Sequence, residues 1–160
     1  MSLTCILPAF DSDVAWELGT IIRTRCQENR ARPAAIYIAH ANSSQLLFFA
    51  TSRPGTFPDN MHWARRKEAV VLRWGMSSLR MWLQIPELTC TVTRVLSWEE
   101  KIKHVHEIAD PSVYAFHGGG FPVRVRIVEG IVGVIVVNGL GDDDHGVIVD
   151  GIQEYLAKHT

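Results

Sequence analysis

Asp144-His145 is the clearest place in this chain where side chains able to move a proton stand together. A carboxylate beside an imidazole can act as an acid–base couple or contribute to a metal site. Asp144 is also the last of three aspartates, Asp142 to Asp144, ahead of an apolar periodic stretch. Short acidic runs in that position ordinarily cap a helix, because their oxygens satisfy free amides and their charge meets the positive end of the dipole. The cap is the role expected of them, with His145 left to face a cleft beside Gly139.

His117 stands directly before Gly118, Gly119 and Gly120, which lead into Phe121-Pro122. Residues without a Cβ let backbone amides come close to a carboxylate, and they equally suit a tight start to a strand. With no following helix and no Lys-Ser/Thr, the run is neither a P-loop nor a dinucleotide fingerprint. His104 and His106 sit two apart on an expected helix, point about 200° from each other, and do not chelate one ion. His62 is a lone histidine near a loop, and Ser77-Ser78 has no visible base that would make a nucleophile of either hydroxyl.

These residues need a frame. Asp11 to Asp13 open an amphipathic helix carrying Val14, Leu18, Ile21, Ile22 and Cys26, which Arg30 to Pro33 interrupts. Ala34 to Ala39 and Gln45 to Thr51 read as a hairpin about a polar turn, and Ser52 to Pro58 as a surface loop. Asp59 or Asn60 then caps a helix with Trp63, Val70, Val71 and Trp74 inward and Arg65, Arg66, Lys67 and Glu68 mostly outward, ending near Gly75. Ser77 to Gln84 continues as a short helical piece. Ser97 and Glu100 form a capping box for a helix over 98–109, stopped by Asp110-Pro111.

Val123, Val125 and Ile127 alternate with arginines as the first strand of a second hairpin, which turns at Glu129-Gly130. The β-branched run Ile131 to Val137 returns as a strand buried on both faces, hence a central one. After Asn138 to Gly141 a closing helix presents Val147, Ile148, Ile152, Tyr155 and Leu156. The expected class is α+β: a single antiparallel sheet of two hairpins flanked by helices, in one domain over residues 1–160.

Composition narrows the partners. Of 160 residues, 47% are hydrophobic and 21% charged, as in globular proteins, and 16 basic against 17 acidic side chains leave a formal charge of −1. That balance supplies no field to gather nucleic acid or acidic lipid. The longest apolar runs fall far below the ~20 residues of a membrane span. The start, Met-Ser-Leu-Thr-Cys-Ile-Leu-Pro, lacks a basic region followed by a long apolar stretch, so a cytoplasmic protein is expected. Cys5, Cys26 and Cys90 are odd in number and widely spaced, as reduced thiols would be.

Taken in order, Asp59-Asn60-Met-His-Trp63 with Arg66-Lys67, then Ser77-Ser78, then Gly118-Gly119-Gly120-Phe121-Pro122, then Gly133 to Gly139 with Asp144-His145, resemble the GlcG/HbpS-like family, often called haem-degrading or haem-binding. The shared patterns are DN-x-x-W, RK, SS, GG-x-FP, G-x-I-x-V-S-G-L and a closing DH. This chain departs from them with Asn138 in place of a serine and with Ala64 after the tryptophan. The resemblance implies a profilin-like fold, assembly into dimers or larger rings, and haem as a possible cofactor, since some relatives bind it. On that reading Trp63, Trp74 and Trp82 stack on a flat tetrapyrrole while Arg66 and Lys67 meet its propionates; the plain alternative is core or interface packing. No haem ligand carries over, because no ligand motif matches residue by residue.

Three functions remain, in this order: a homo-oligomeric protein binding a small anionic or planar ligand, haem included; an interaction scaffold without catalysis; and an enzyme using Asp144 and His145 as acid and base. The ligand candidates are Asp59, Asn60, Trp63, Arg66, Lys67, Ser77, Ser78, His117, Gly118, Gly119, Gly120, Phe121, Asn138, Gly139, Asp144 and His145. No metal site is expected.

Overall fold

A computed structural model describes residues 5–29, 31–85 and 97–160, so the expectations for Met1 to Thr4, Arg30 and Cys90 lie outside the described residues. The elements run β1 (Ile6–Leu7), α1 (Ser12–Asn29), β2 (Ala35–His40), β3 (Leu46–Thr51), α2 (Pro58–Trp74), α3 (Ser78–Leu83), α4 (Trp98–His106), a 3-10 turn (Pro111–Val113), β4 (Gly120–Val125), β5 (Gly133–Asn138) and α5 (Asp143–Lys158).

The strands form one sheet in the order β1-β4-β5-β2-β3. The expected hairpins are both present and join through an antiparallel pairing of β5 with β2, which runs from Ala35 opposite Asn138 to His40 opposite Gly133. The sheet is mixed rather than purely antiparallel, because β1 pairs in parallel with β4. Two residues are too few to show an alternation, so this edge left no periodic trace in the sequence.

Both faces of the middle strands are covered. Ile36, Ile38, Ile135 and Val137 point toward α1 and α5, into a cluster with Leu18, Ile22, Cys26, Ile148 and Ile152. Tyr37, Ala39, Val134 and Val136 point the other way, against Ala64 and Val71 of α2. Strict period-two alternation with both faces apolar explains why β5 reads as a continuous hydrophobic run and is central. A third cluster, Val70, Met81, Ile102, Ile108 and Phe116, packs α3 and α4 on the side of α2 away from the sheet. The layers are therefore α1/α5, sheet, α2, then α3/α4. No described helix is long and apolar enough to cross a membrane.

Some local expectations are corrected. The cap of α2 is Phe57 rather than Asp59 or Asn60, and Pro58 opens the helix, where a missing N–H costs nothing. Asn60 reaches back instead, its Oδ1 accepting from Phe57 N at 2.9 Å. Lys67 and Glu68 are buried while Trp63 stands at the surface, so the inward stripe of α2 is wider than apolar spacing indicated. The Glu68 carboxylate accepts from the Tyr37 hydroxyl at 3.0 Å. Burial and the adjoining carboxylate push that phenol up to about 12. The Ser97/Glu100 box forms as expected, but α4 ends at His106 because Glu107 turns left-handed at φ 51°.

Strand β4 stops at Val125, and Ile127, expected on the core face, is fully exposed at 105% with a left-handed φ of 66°. A β-branched side chain gains no burial there and clashes with its own backbone. Ile127→Gly is expected to raise Tm by about 2–4 °C in thermal unfolding; a fall would mean that the isoleucine makes contacts that stabilise the tip.

Candidate functional site

Where β5 ends, the chain leaves the sheet through Asn138-Gly139-Leu140-Gly141 and enters α5, while the Gly118-Gly119-Gly120 segment arrives from the opposite direction to begin β4. Helix α2 crosses over both. Its Lys67 extends from the helix to the point where these segments meet, and Nζ donates to Asp144 Oδ2 at 2.9 Å and to the Val137 carbonyl at 3.3 Å. Both side chains are buried, at 3% and 4% exposure. The other carboxylate oxygen of Asp144 accepts from Leu140 N at 2.8 Å. Asp144 therefore ties α5 to its own approach loop and to α2, and is not the helix cap expected of it. Burial raises its carboxyl above the ordinary range, with the Lys67 charge and the hydrogen bonds opposing.

Above this pair opens a cleft of about 670 Å³. Trp63 of α2, Leu79 and Trp82 of α3, and His117-Gly118 form an aromatic wall; Arg32, Asn138, Gly139, Gly141 and Asp142 form a polar one, with Lys67 and Asp144 also lining it. The His117 ring lies among indoles, 5.4 Å from Trp82, 6.4 Å from Trp63 and 6.3 Å from Trp98. Burial lowers its imidazole pKa, the Lys67 and Arg66 charges lower it further, and Asp142 and Glu99 oppose them. A neutral ring at physiological pH keeps a lone pair available for a metal or a proton.

Seven of the proposed residues thus meet at the cleft: Trp63, Lys67, His117, Gly118, Asn138, Gly139 and Asp144. Others stand behind it. Asn60 and Asn138 exchange side-chain to backbone hydrogen bonds at 3.4 and 3.2 Å, so the amide at 138 fastens β5 to α2. Arg66 holds the wall, its guanidinium 4.3 Å over Trp63 and donating to the Tyr114 carbonyl at 3.0 Å. Ser77 caps α3, and Ser78 Oγ accepts from Gly120 N at 2.9 Å, tying α3 to β4. Asp59 is exposed in the first turn of α2, away from the cleft lining. Phe121 packs its ring 5.6 Å from that of His145.

Two expected chemistries are not formed. Asp144 is bonded to Lys67 and not to His145, whose Nδ1 is buried without a partner among the described residues. Burial lowers the His145 imidazole below its ordinary value. The glycine run is a packing requirement more than an open cradle: a Cβ on Gly119, at φ 123°, would stand 2.3 Å from the Val137 carbonyl and 2.8 Å from Lys67 Nζ. On Gly120 it would stand 2.9 Å from the Lys67 carbonyl. Only Gly118 of the three reaches the cleft. No described group of three His, Cys, Asp or Glu is placed to hold a metal ion.

Sequence reasoning missed Arg32, Leu79, Gly141 and Asp142 as lining residues. Arg32 lies in a strand-preceding break that reads only as a loop, and nothing local shows that it returns beside Gly141. Trp82, one of the three tryptophans expected to line a cavity, does so from α3. Trp74 belongs instead to the third cluster, 5.4 Å from Phe116.

The mixed sheet, the helices on both its faces and the cleft where β4 begins and β5 ends define an α+β domain with a cleft at one end of its sheet. Residues 10–153 match the family described as haem degrading protein HbpS-like, and the chain belongs to that family. It is 36% identical over 151 residues to a UPF0303 protein of Zymomonas mobilis, spanning 94% of this chain and 73% of that protein. Among solved structures, the Ybr137w protein is similar with a TM-score of 0.84 and 27% identity, over 98% of this chain and 84% of the other. A PduOC–haem complex shares the fold with a TM-score of 0.66 at 12% identity, over 91% and 94% of the two chains.

Removing Lys67 leaves a buried carboxylate with no cation beside it. Asp144 then holds a proton that the unfolded chain releases, so this group's contribution is present at low pH and is lost as pH rises through its raised folded value. Lys67→Met is expected to cost about 3–5 kcal/mol at pH 8 and distinctly less at pH 5 in urea unfolding. Equal losses at both pH values would mean that the lysine acts through packing alone.

Proposed function

We infer that the cleft binds a small, flat, acidic molecule, and that haem is the leading candidate. The observation that carries this is the pairing of an aromatic wall, Trp63, Trp82 and His117, with a polar wall containing Arg32, around about 670 Å³ of space. That volume lies within the roughly 300–1,000 Å³ of small-molecule sites, which are apolar with a few placed polar groups. Membership of the HbpS-like family and the fold shared with a PduOC–haem complex favour haem among flat acids.

The residues present fit such a group. Indole rings supply stacking surface, a largely neutral imidazole at His117 is a suitable iron ligand, and Arg32 can meet a propionate. Bound haem would bring iron redox and coordination chemistry; the protein's part is to bind, orient and desolvate it. Lys67 is engaged by Asp144, so its role is to build the floor and not to pair with a propionate as the sequence suggested. Haemin titration is expected to give a saturable Soret shift, weakened at least several-fold in His117→Ala at pH 7.5. A flat titration of the wild-type protein would remove haem.

A specific observation also favours self-association. Helix α2 packs over β4 and β5 and reaches β2, leaving Leu46 and Phe49 of edge strand β3 exposed at 49% and 44%. The strand Leu-Leu-Phe-Phe-Ala-Thr carries no charge or proline to discourage pairing. Its uncharged edge complements itself about a twofold axis, so a second copy of the chain is the partner inferred. Sedimentation velocity should show a dimer or larger assembly for the wild type and a lighter species for Phe49→Lys. An unchanged profile would place any contact elsewhere.

A further inference from the structure

The charged groups around the cleft are unevenly partnered. Lys67 and Asp144 neutralise each other on the floor, and Arg66 is occupied by Trp63 and the Tyr114 carbonyl. Arg32, in the loop between α1 and β2, lines the cleft, and among the described residues its guanidinium has no hydrogen bond or ion pair. It lies against the loop that leaves β5: a Cβ on Gly141 would stand 3.3 Å from Nη1, and the left-handed φ of 70° there carries the chain past it. Asp142 follows directly, and its carboxylate makes no cap hydrogen bond to α5. It also faces the cleft, close enough to His117 to oppose the lowering of that ring's pKa.

An arginine offers five N–H donors in a fixed fork and no acceptor, so its natural complement is a planar or tetrahedral oxyanion. Here the arginine lines a concave space that Trp63, Trp82 and His117 also line, and the Asp142 carboxylate follows the glycine that the arginine lies against. We propose that Arg32 is the acid-recognition residue of this cleft: it holds an acid group of a flat ligand whose body lies against Trp82 and His117, and the Asp142 charge at that end tempers the affinity for the anion. The assignment rests on the cleft being a ligand site, and it specifies what that site selects: acidic over neutral forms of the same ring system. A solvated surface arginine with no such role is the competing account.

Two dyes sharing one skeleton separate them: 8-anilinonaphthalene-1-sulfonate, which is anionic, and N-phenyl-1-naphthylamine, which lacks the sulfonate. Both are titrated by fluorescence into wild type, Arg32→Ala, Asp142→Asn and Trp82→Ala. Arg32 and Asp142 are exposed, and the Tm of each variant checks that folding is intact. The expected result is a loss of about tenfold or more in sulfonate affinity for Arg32→Ala, with the neutral dye within about twofold. Asp142→Asn should tighten the sulfonate about two- to threefold and leave the neutral dye alone, and added salt should weaken the sulfonate in wild type more than in Arg32→Ala. Equal effects on both dyes, or an unchanged sulfonate affinity in Arg32→Ala, would overturn the assignment while leaving the cleft as a site. If wild type binds neither dye, or Trp82→Ala leaves both bound as before, the ligand reading of the cleft falls and the assignment with it.

Discussion

The buried contact of Lys67 with Asp144 is the constraint on which the rest of this fold turns. An ammonium and a carboxylate removed from water cost several kcal/mol each, and that cost is offset only where geometry and extra hydrogen bonds are good. Here both conditions are met: the lysine also reaches a strand carbonyl, and the carboxylate also accepts from a loop amide. One side chain comes from α2 and the other from α5, on opposite faces of the sheet, so the pair bridges the two faces at the end of β5. An apolar pair of similar volume would fill the space without specifying direction. The charged pair ties α2 to the Val137 carbonyl and, through Asp144, to the Leu140 amide, and so helps hold α2 over the strand ends.

The neighbouring sequence follows from that arrangement. With Lys67 Nζ and the Val137 carbonyl where they are, the segment entering β4 has no room for a side chain at Gly119, where φ is also positive. Gly139 obeys the same logic at the exit of β5, where a Cβ would stand 2.4 Å from the Pro33 carbonyl. Asn60 and Asn138 then fasten helix to strand. The cleft is what remains above this knot, and its polar wall is built from the loops the knot holds in place.

Much of the frame was legible in the sequence because periodicity reports burial directly. Strand β5 reads as central because Val134 to Val137 are apolar on both faces, and α1 and α5 read as amphipathic for the same reason. The α4 box is visible because Ser97 and Glu100 interact locally. What escaped depends on distant partners. Lys67 looks like an outward charge until Asp144, 77 positions on, is placed against it. Asp144 looks like a cap for the same reason, and Arg32 like a loop residue until Gly141 comes alongside. Local pattern carries the frame, whereas the site is assembled from contacts that no local window contains.

The aromatic wall of the cleft draws on two helices, with Trp63 on α2 and Trp82 on α3. Trp82 rides on α3, which is anchored by Met81 in the outer cluster and by the Ser78 bond to Gly120, while the polar wall hangs from the sheet itself. The gap between Trp82 and the polar wall therefore depends on how closely α3 seats on α2 and β4. A guest that touches both sides would act as a spacer, fixing the distance between α3 and the strand ends.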